Sequence, residues 1–230
     1  MRRIGAVSCV VGILGLLSCV STVLAEEGRL NVGVYGGGVI SLAGDEAVDW
    51  GDSEFDNTVS YGLNMTYRLP TGLTLGLDVQ RFTMDLELDG EEVGDATVTP
   101  LLFMVGYQSM PPADSGFAFH AYAGMGVSFN SFDEGSAVED VEDEIEFMFG
   151  GDADINIDTD NSFAMALGVG GDYFFNRNFS MNLDARLFFS QADFTEEDNW
   201  TDGVFSVSEE FEGDADLNNL QFLIGAKYWF

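Results

Sequence analysis

The sequence predicts an all-β chain, an eight-stranded antiparallel up-and-down β-barrel that crosses a membrane. Three observations predict it. Eight segments alternate apolar residues with small or polar ones, which is the period of a strand with one apolar face. The connections between them alternate between long, acidic stretches and short turns. The chain opens on an export signal and closes on an alternating strand that ends in phenylalanine. An apolar exterior, a polar interior and short turns along one edge together describe a transmembrane barrel.

Residues 1–25 read as a signal peptide and 26–230 as one outer-membrane barrel domain. Arg2 and Arg3 supply the positive start, Ile4 to Leu17 the apolar run, and Val23-Leu24-Ala25 the small-residue cleavage site. Leu16-Leu17-Ser18-Cys19 resembles a lipoprotein cleavage box, yet the residues after Cys19 stay apolar as far as Leu24, which favours removal without lipidation. The arginine pair suggests twin-arginine export, and nothing after it supports that route. Both cysteines, Cys9 and Cys19, fall in the signal, so the mature chain needs no disulfide and has no thiol for catalysis or metal binding.

The strands follow in order. The first runs about Leu30–Leu42, with three glycines at 36–38 marking a bend or close packing. The second, Thr58–Leu69, carries Tyr61, Leu63, Met65 and Tyr67 on one face, and Pro70-Thr71-Gly72 turns it into the third, Leu73–Leu88. An acidic loop at 89–95 leads to the fourth, Ala96–Met110, and a turn at 111–116 to the fifth, Phe117–Phe132. The sixth and seventh form the clearest hairpin, from Asn161 to Phe194 about an Asn-rich turn at 176–178. Phe163, Met165, Leu167, Val169 and Tyr173 line one face of its first arm; Met181, Leu183 and Leu187 line one face of its second. The eighth strand is Leu217–Phe230, and Phe222, Ile224, Ala226, Tyr228 and Phe230 alternate along it. Tyr228 and Phe230 resemble the C-terminal signal by which barrels are recognised by the assembly machinery. A soluble β-sandwich is the competing reading, and export signal, eightfold alternation and terminal phenylalanine weigh against it.

The long connections, 43–57, 89–95, 133–160 and 195–216, hold 31 of the 40 acidic residues and no Lys or Arg. Long loops of outer-membrane barrels face outside and short turns face the periplasm, so the acids belong on the external rim. Arg29, Arg68, Arg177 and Lys227 then belong at the periplasmic ends. A formal charge of −32 excludes a nucleic-acid partner. The partners expected instead are outer-membrane lipid, lipopolysaccharide and divalent cations gathered by the rim. No cofactor is expected.

Candidate site residues follow from side-chain parity. Asp184 and Arg186 share a face with Ser180 and Asn182, and an arginine on the lipid face at mid-membrane costs about 2–4 kcal/mol, so this face looks into the lumen. Asp78 joins it from the third strand. An eight-stranded barrel is only wide enough to be filled by side chains, so these residues make either a structural ion-pair plug, with Arg186 beside Asp184, or a polar constriction on a transport path. Arg81 has the opposite parity and is expected to snorkel to lipid headgroups. Pro100 cannot donate to a ladder, so pairing is expected to open or bulge there. His120, the only histidine, lies at the periplasmic end, away from the external rim where barrel enzymes work, and no nucleophile–base pair is evident. Asp152, Asp154 and Asp158 alternate with Asn156 in a calcium-like run, yet Ile157 and Phe163 stand where such a loop needs Gly and Glu. The metal expectation is therefore none; a strand continuing above the membrane with a solvated acidic edge explains the run.

Several of these stretches carry a family resemblance. The segment YGLNMTYRLPTGLTLGLDV resembles the second hairpin of the OmpW family of small outer-membrane barrels, and TPLLFMVGYQ its proline-leucine strand. FHAYAGMGVSFN is similar to that family's Tyr-x-Gly-x-Gly strand, and MALGVGGDYFFNRNFSMNLDARLF to its Gly-Val-Asp-Tyr hairpin. Loop 133–160, the acidity and Gly171 before Asp172 depart from the pattern. The resemblance implies a passive conduit for small hydrophobic molecules. A structural or adhesive surface barrel working through its acidic loops is the alternative, and an enzyme is not expected.

Overall fold

The structure is a computed structural model that describes residues 28–42, 53–88, 91–110, 115–201 and 206–230. The expected signal peptide, and most of the turn at 111–116, lie outside these residues. Eleven strands and one helix are described: β1 (Arg29–Ser41), β2 (Ser53–Phe55), β3 (Thr58–Arg68), β4 (Leu73–Leu88), β5 (Glu91–Gln108), β6 (Gly116–Glu134), α1 (Ser136–Phe149), β7 (Asp152–Thr159), β8 (Ser162–Phe174), β9 (Phe179–Thr201), β10 (Ser206–Asp216) and β11 (Asn219–Trp229). Eight of them close a barrel in the order β1-β3-β4-β5-β6-β8-β9-β11, every pair antiparallel, with β11 returning to β1.

Parity sets what each face meets. Along β4, Leu73, Leu75, Leu77 and Val79 are exposed, while Asp78, Gln80 and Phe82 are buried. The same alternation on the other strands leaves a continuous apolar exterior, with Phe117, Phe119, Tyr228 and Phe230 as an aromatic girdle at the end of the short turns, the expected periplasmic end, and Tyr61, Phe129 and Phe163 toward the other. In water such a belt would be unstable; around a barrel with a polar interior it is a lipid-facing surface. The chain needs no apolar helix to cross a membrane, and none of the described helices is long and apolar enough to do so.

Three of the expected loops are instead walls. β5 begins at Glu91 and pairs with β4 almost from its first residue, with one register shift between Leu86 and Glu87. Segment 133–160 contains α1 and β7, and β7 runs beside β9 as an upward continuation of β8. Segment 195–216 contains the top of β9 and β10, which keeps on β9 the same register that β11 holds lower down. Of the acidic segment 43–57, residues 53–55 form β2 against β4. The physical reason is that these acidic segments also alternate: Phe55, Ile157 and Ala215 point inward and are buried. The barrel wall therefore continues well beyond the apolar belt.

The acids of this upper wall also satisfy its backbone. β7 leaves one edge unpaired, and its N–H groups need acceptors. Ala153 donates to Glu146 Oε1 at 3.1 Å, Ile155 to Glu142 Oε1 at 2.7 Å and Ile157 to Glu134 Oε1 at 2.9 Å. Glu142 and Glu146 sit one turn apart on α1, so they match N–H groups two residues apart on the strand. Gly150, at φ 70°, ends the helix in the left-handed region, and its N–H bonds Glu146 O.

Candidate functional site

The interior has three levels. At the periplasmic end Trp229 and Phe174 pack at 5.4 Å and bury with Ala118 as an apolar floor. Above it lies a charged layer. Higher still, the interior is mainly apolar: Phe82, Met84 and Leu86 of β4, Val98 and Leu102 of β5, Phe188 and Phe194 of β9 and Val138 of α1 form one buried cluster, with Ser128, Ser162, Ser190 and Asn219 buried beside it. The polar lumen expected from parity thus occupies only the lower half. Phe82, Met84 and Leu86 continue the inward parity of Asp78 and Gln80, so the change of chemistry happens within single strands.

Asp78, Asn182, Asp184 and Arg186 all face inward and are buried in the charged layer. Their partners differ from the expectation. Arg186 does not pair with Asp184, two residues before it on the same strand. Its Nη1 lies 3.0 Å from Asp78 Oδ1 and its Nη2 3.3 Å from Asp78 Oδ2. Its Nη1 also donates to Gln80 Oε1 at 3.1 Å, and its Nε donates to Tyr122 Oη at 3.1 Å. The guanidinium sits over both the Tyr35 and Tyr122 rings, 5.3 and 5.5 Å from their centres. Tyr35 Oη donates to Asp78 Oδ1 at 2.7 Å.

Asp184 bonds Asn182 and His120 instead. His120, set aside from any site by its position in the sequence, is a hub of this layer. Its Nε2 lies 2.5 Å from Asp184 Oδ1 and its Nδ1 2.9 Å from Asp172 Oδ2. With a carboxylate oxygen at each ring nitrogen, both nitrogens donate, as in an imidazolium. Lys227 Nζ stands 2.9 Å from Asp172 Oδ1, and Gln108 Nε2 2.8 Å from Asp172 Oδ2. Lys227 therefore belongs to the lumen, near the periplasmic end. Asp172, Lys227, Gln80 and Gln108 were legible by counting parity along their strands; the partnerships were not, because closure of the barrel creates them.

Two glycines let these groups meet. On the ladder, Gly170 lies between His120 and Asp184, and Gly168 between Tyr122 and Arg186. A Cβ on Gly170 would come within 2.7 Å of His120 Nε2, and one on Gly168 would meet the Tyr122 ring. Each glycine is a gap through which side chains two strands apart touch. A cavity of about 70 Å³ lies within the charged layer, lined in part by Asn64, Thr66, His120 and Asp184. It is large enough to hold several water molecules.

Pro100 marks a lapse of two rungs in the β4–β5 ladder. It faces inward and is buried between Val98 and Leu102, at the base of the apolar cluster. β5 pairs with β6 without interruption across Thr99 and Pro100. Against β4 the ladder stops after Val79 and Leu101 and resumes at Phe82 and Val98, in unchanged register. Pairing opens there rather than bulging, opposite Gln80 and Arg81, and Arg81 is exposed on the outer face.

At the external rim, Asp152, Asp154 and Asp158 occupy the solvent face of β7 and are exposed. No group of three His, Cys, Asp or Glu that could hold a metal ion occurs among the described residues. Acid pairs recur in the upper wall. Partial desolvation, then a hydrogen bond and repulsion from Asp95 on the facing strand, push the Asp85 carboxyl up. Partial burial, then the neighbouring Asp198, push Glu196 up.

Comparison with known proteins places this geometry. A family described as Domain of unknown function (DUF2715) matches residues 26–230. No curated protein matches the chain. Among solved structures, the outer membrane protein OprG of Pseudomonas aeruginosa is similar at 17% identity and a TM-score of 0.58, over 89% of this chain and 96% of that one. Outer Membrane Protein W of E. coli is 20% identical over 90% and 98%, with a TM-score of 0.46. Ail, the attachment invasion locus protein of Yersinia pestis, is 14% identical over 89% and 100%, with a TM-score of 0.40. The likeness to OprG shows the fold: a small barrel of the outer-membrane kind.

Proposed function

This chain belongs to the DUF2715 family, and we propose that it is a passive outer-membrane conduit, OmpW-like, for small hydrophobic molecules. The observation that carries the reading is the division of the interior. A packed apolar core lies above a charged layer, and the wall beside that core has a two-rung lapse in its ladder at Pro100. An apolar molecule moving straight down would have to part Arg186 from Asp78 and His120 from its two carboxylates, leaving buried charges uncompensated, which costs several kcal/mol. Sideways, it passes Val98, Leu102 and the neutral Gln80 before it reaches the bilayer. Lateral exit through the gap between Gln80–Arg81 and Thr99–Pro100 is the cheaper path, with Asp78, Asn182, Asp184 and Arg186 acting as the plug that directs it.

In this reading the lipid belt contacts outer-membrane lipid, Arg81 reaches lipopolysaccharide or headgroup phosphates, and Tyr228 and Phe230 present the assembly signal to the barrel-assembly machinery. The acidic rim collects divalent cations loosely. No catalytic role is proposed, because both ring nitrogens of His120 are engaged by carboxylates and neither by a hydroxyl.

A second reading has its own support. α1 holds Phe147 90% exposed and Met148 58% exposed at the top of the barrel, which suits a surface that binds another molecule. Uptake of a hydrophobic fluorescent tracer, compared between cells with and without the protein, separates the two. The conduit reading expects faster uptake with the protein, and slower uptake for Pro100→Val, which restores the missing donor. Uptake equal in cells with and without the protein would leave the adhesive reading.

A further inference from the structure

The described cations are few, and three of them gather at the periplasmic mouth beneath the aromatic floor. Arg29 opens β1 and Arg68 ends β3, and the two stand directly opposite each other in the ladder. Like charges in that position repel, so an unaided fold gains nothing from the pair. The Arg29 guanidinium lies over the Trp229 ring, 5.3 Å from its centre, and donates to the main-chain oxygen of Arg177 in the β8–β9 turn. Arg29 is repelled by both Arg68 and Arg177, which places the three charges together. The nearest buried acid on this side, Asp172, is already taken by His120, Lys227 and Gln108 above the floor. Among the described residues neither Arg29 nor Arg68 forms an ion pair.

Arg68 supplies the independent sign of a ligand. It is only 6% exposed, yet its Nε has no hydrogen-bond partner. A buried guanidinium N–H left unmade is costly, and one placed opposite another arginine is more so.

We propose that Arg29 and Arg68, with Arg177 at the edge, form an anion site on the periplasmic rim that takes a phosphate group. The arginine fork offers two parallel donors that match phosphate oxygens, and a phosphate anion held between Arg29 and Arg68 turns their repulsion into attraction. The phosphate comes either from the headgroup of an inner-leaflet phospholipid or from a soluble phosphate ester. The site is separate from the Pro100 gap and does not depend on transport.

Thermal unfolding of the full mature protein tests this, with two arms to distinguish the sources. In detergent, inorganic phosphate at saturation is expected to raise the melting temperature by about 5 °C. In nanodiscs, phosphatidylglycerol is expected to do the same relative to phosphatidylcholine. A rise in the first arm assigns the site to soluble phosphate, and a rise in the second alone to the lipid. Either rise should vanish in Arg68→Gln and persist in Arg81→Gln, whose charge lies at the other end of the barrel. Arg29→Gln gives the same readout should Arg68→Gln fail to fold. No rise in either arm, or an equal rise in the Arg68 and Arg81 variants, overturns the proposal.

Discussion

His120 and Asp184 are joined across Gly170, two strands apart, with 2.5 Å between Nε2 and Oδ1. The bond exists because the intervening strand offers no side chain at that rung. Gly170→Ala therefore inserts a methyl within reach of both partners and should destabilise the barrel by about 1–3 kcal/mol. Gly38→Ala is the control, since nothing lies within 4 Å of a Cβ there. Denaturant unfolding of the two variants checks this; equal stability would mean the rung tolerates a side chain.

Arg186→Ala should strand Asp78, with a loss of about 3–5 kcal/mol, as breaking a buried pair does. The partner is the informative part. A double-mutant cycle should show strong coupling between Arg186 and Asp78 and little between Arg186 and Asp184. The reverse ranking would contradict the ion pair described above.

How much of this was legible in the sequence follows from what each feature depends on. The barrel strands are local: period-two alternation at Leu73–Leu88 and Asn161–Phe174 needs no partner to be seen. Inward parity of Asp78, Asn182, Asp184 and Arg186 is equally local. The Arg186–Asp78 pair joins two strands that barrel closure brings into reach, so sequence proximity favoured Asp184 wrongly. α1 was hidden for another reason. Val138, Glu142, Ile145 and Glu146 lie at helical spacing, but the density of acids around them reads as a solvated loop. Their carboxylates turn out to be acceptors for an edge strand, a role that charge counting cannot reveal.

That role gives a prediction at Glu142. Glu142→Gln keeps a side-chain oxygen for the Ile155 N–H and should leave proteolysis of segment 136–160 nearly unchanged. Glu142→Ala removes it and should speed cleavage several-fold, since an unmade bond at a charged acceptor is worth roughly 1.5–3 kcal/mol. Matching digestion rates for the two variants would show that the carboxylate is not an edge cap.

The upper wall should also tighten in mild acid. Asp85 and Glu196 both have folded-state values raised above the ordinary carboxylate range. A raised carboxyl gives stability that is complete below its unfolded value, near 4, and is lost as pH rises through the folded value. Amide exchange at the tops of β4–β5 and β9–β10 should slow as pH falls from 7 toward 4, after correction for intrinsic rates. Asp85→Asn with Glu196→Gln should flatten that dependence, and an unchanged slope would assign it to other groups.

The lateral exit is the centre of the functional account, and the absence of cysteine from residues 26–230 allows it to be closed reversibly. Arg81 and Thr99 stand on the outer face at the rung where the β4–β5 ladder lapses. Directly opposite residues have Cβ atoms about 4.5–5.5 Å apart, within modest adjustment of disulfide geometry. The measurement is tracer uptake by cells carrying Arg81→Cys with Thr99→Cys, oxidised and then reduced. Uptake that falls to the level of cells lacking the protein on oxidation, and recovers on reduction, is the result expected of a lateral exit. Uptake that stays the same while the crosslink is fully formed would contradict it.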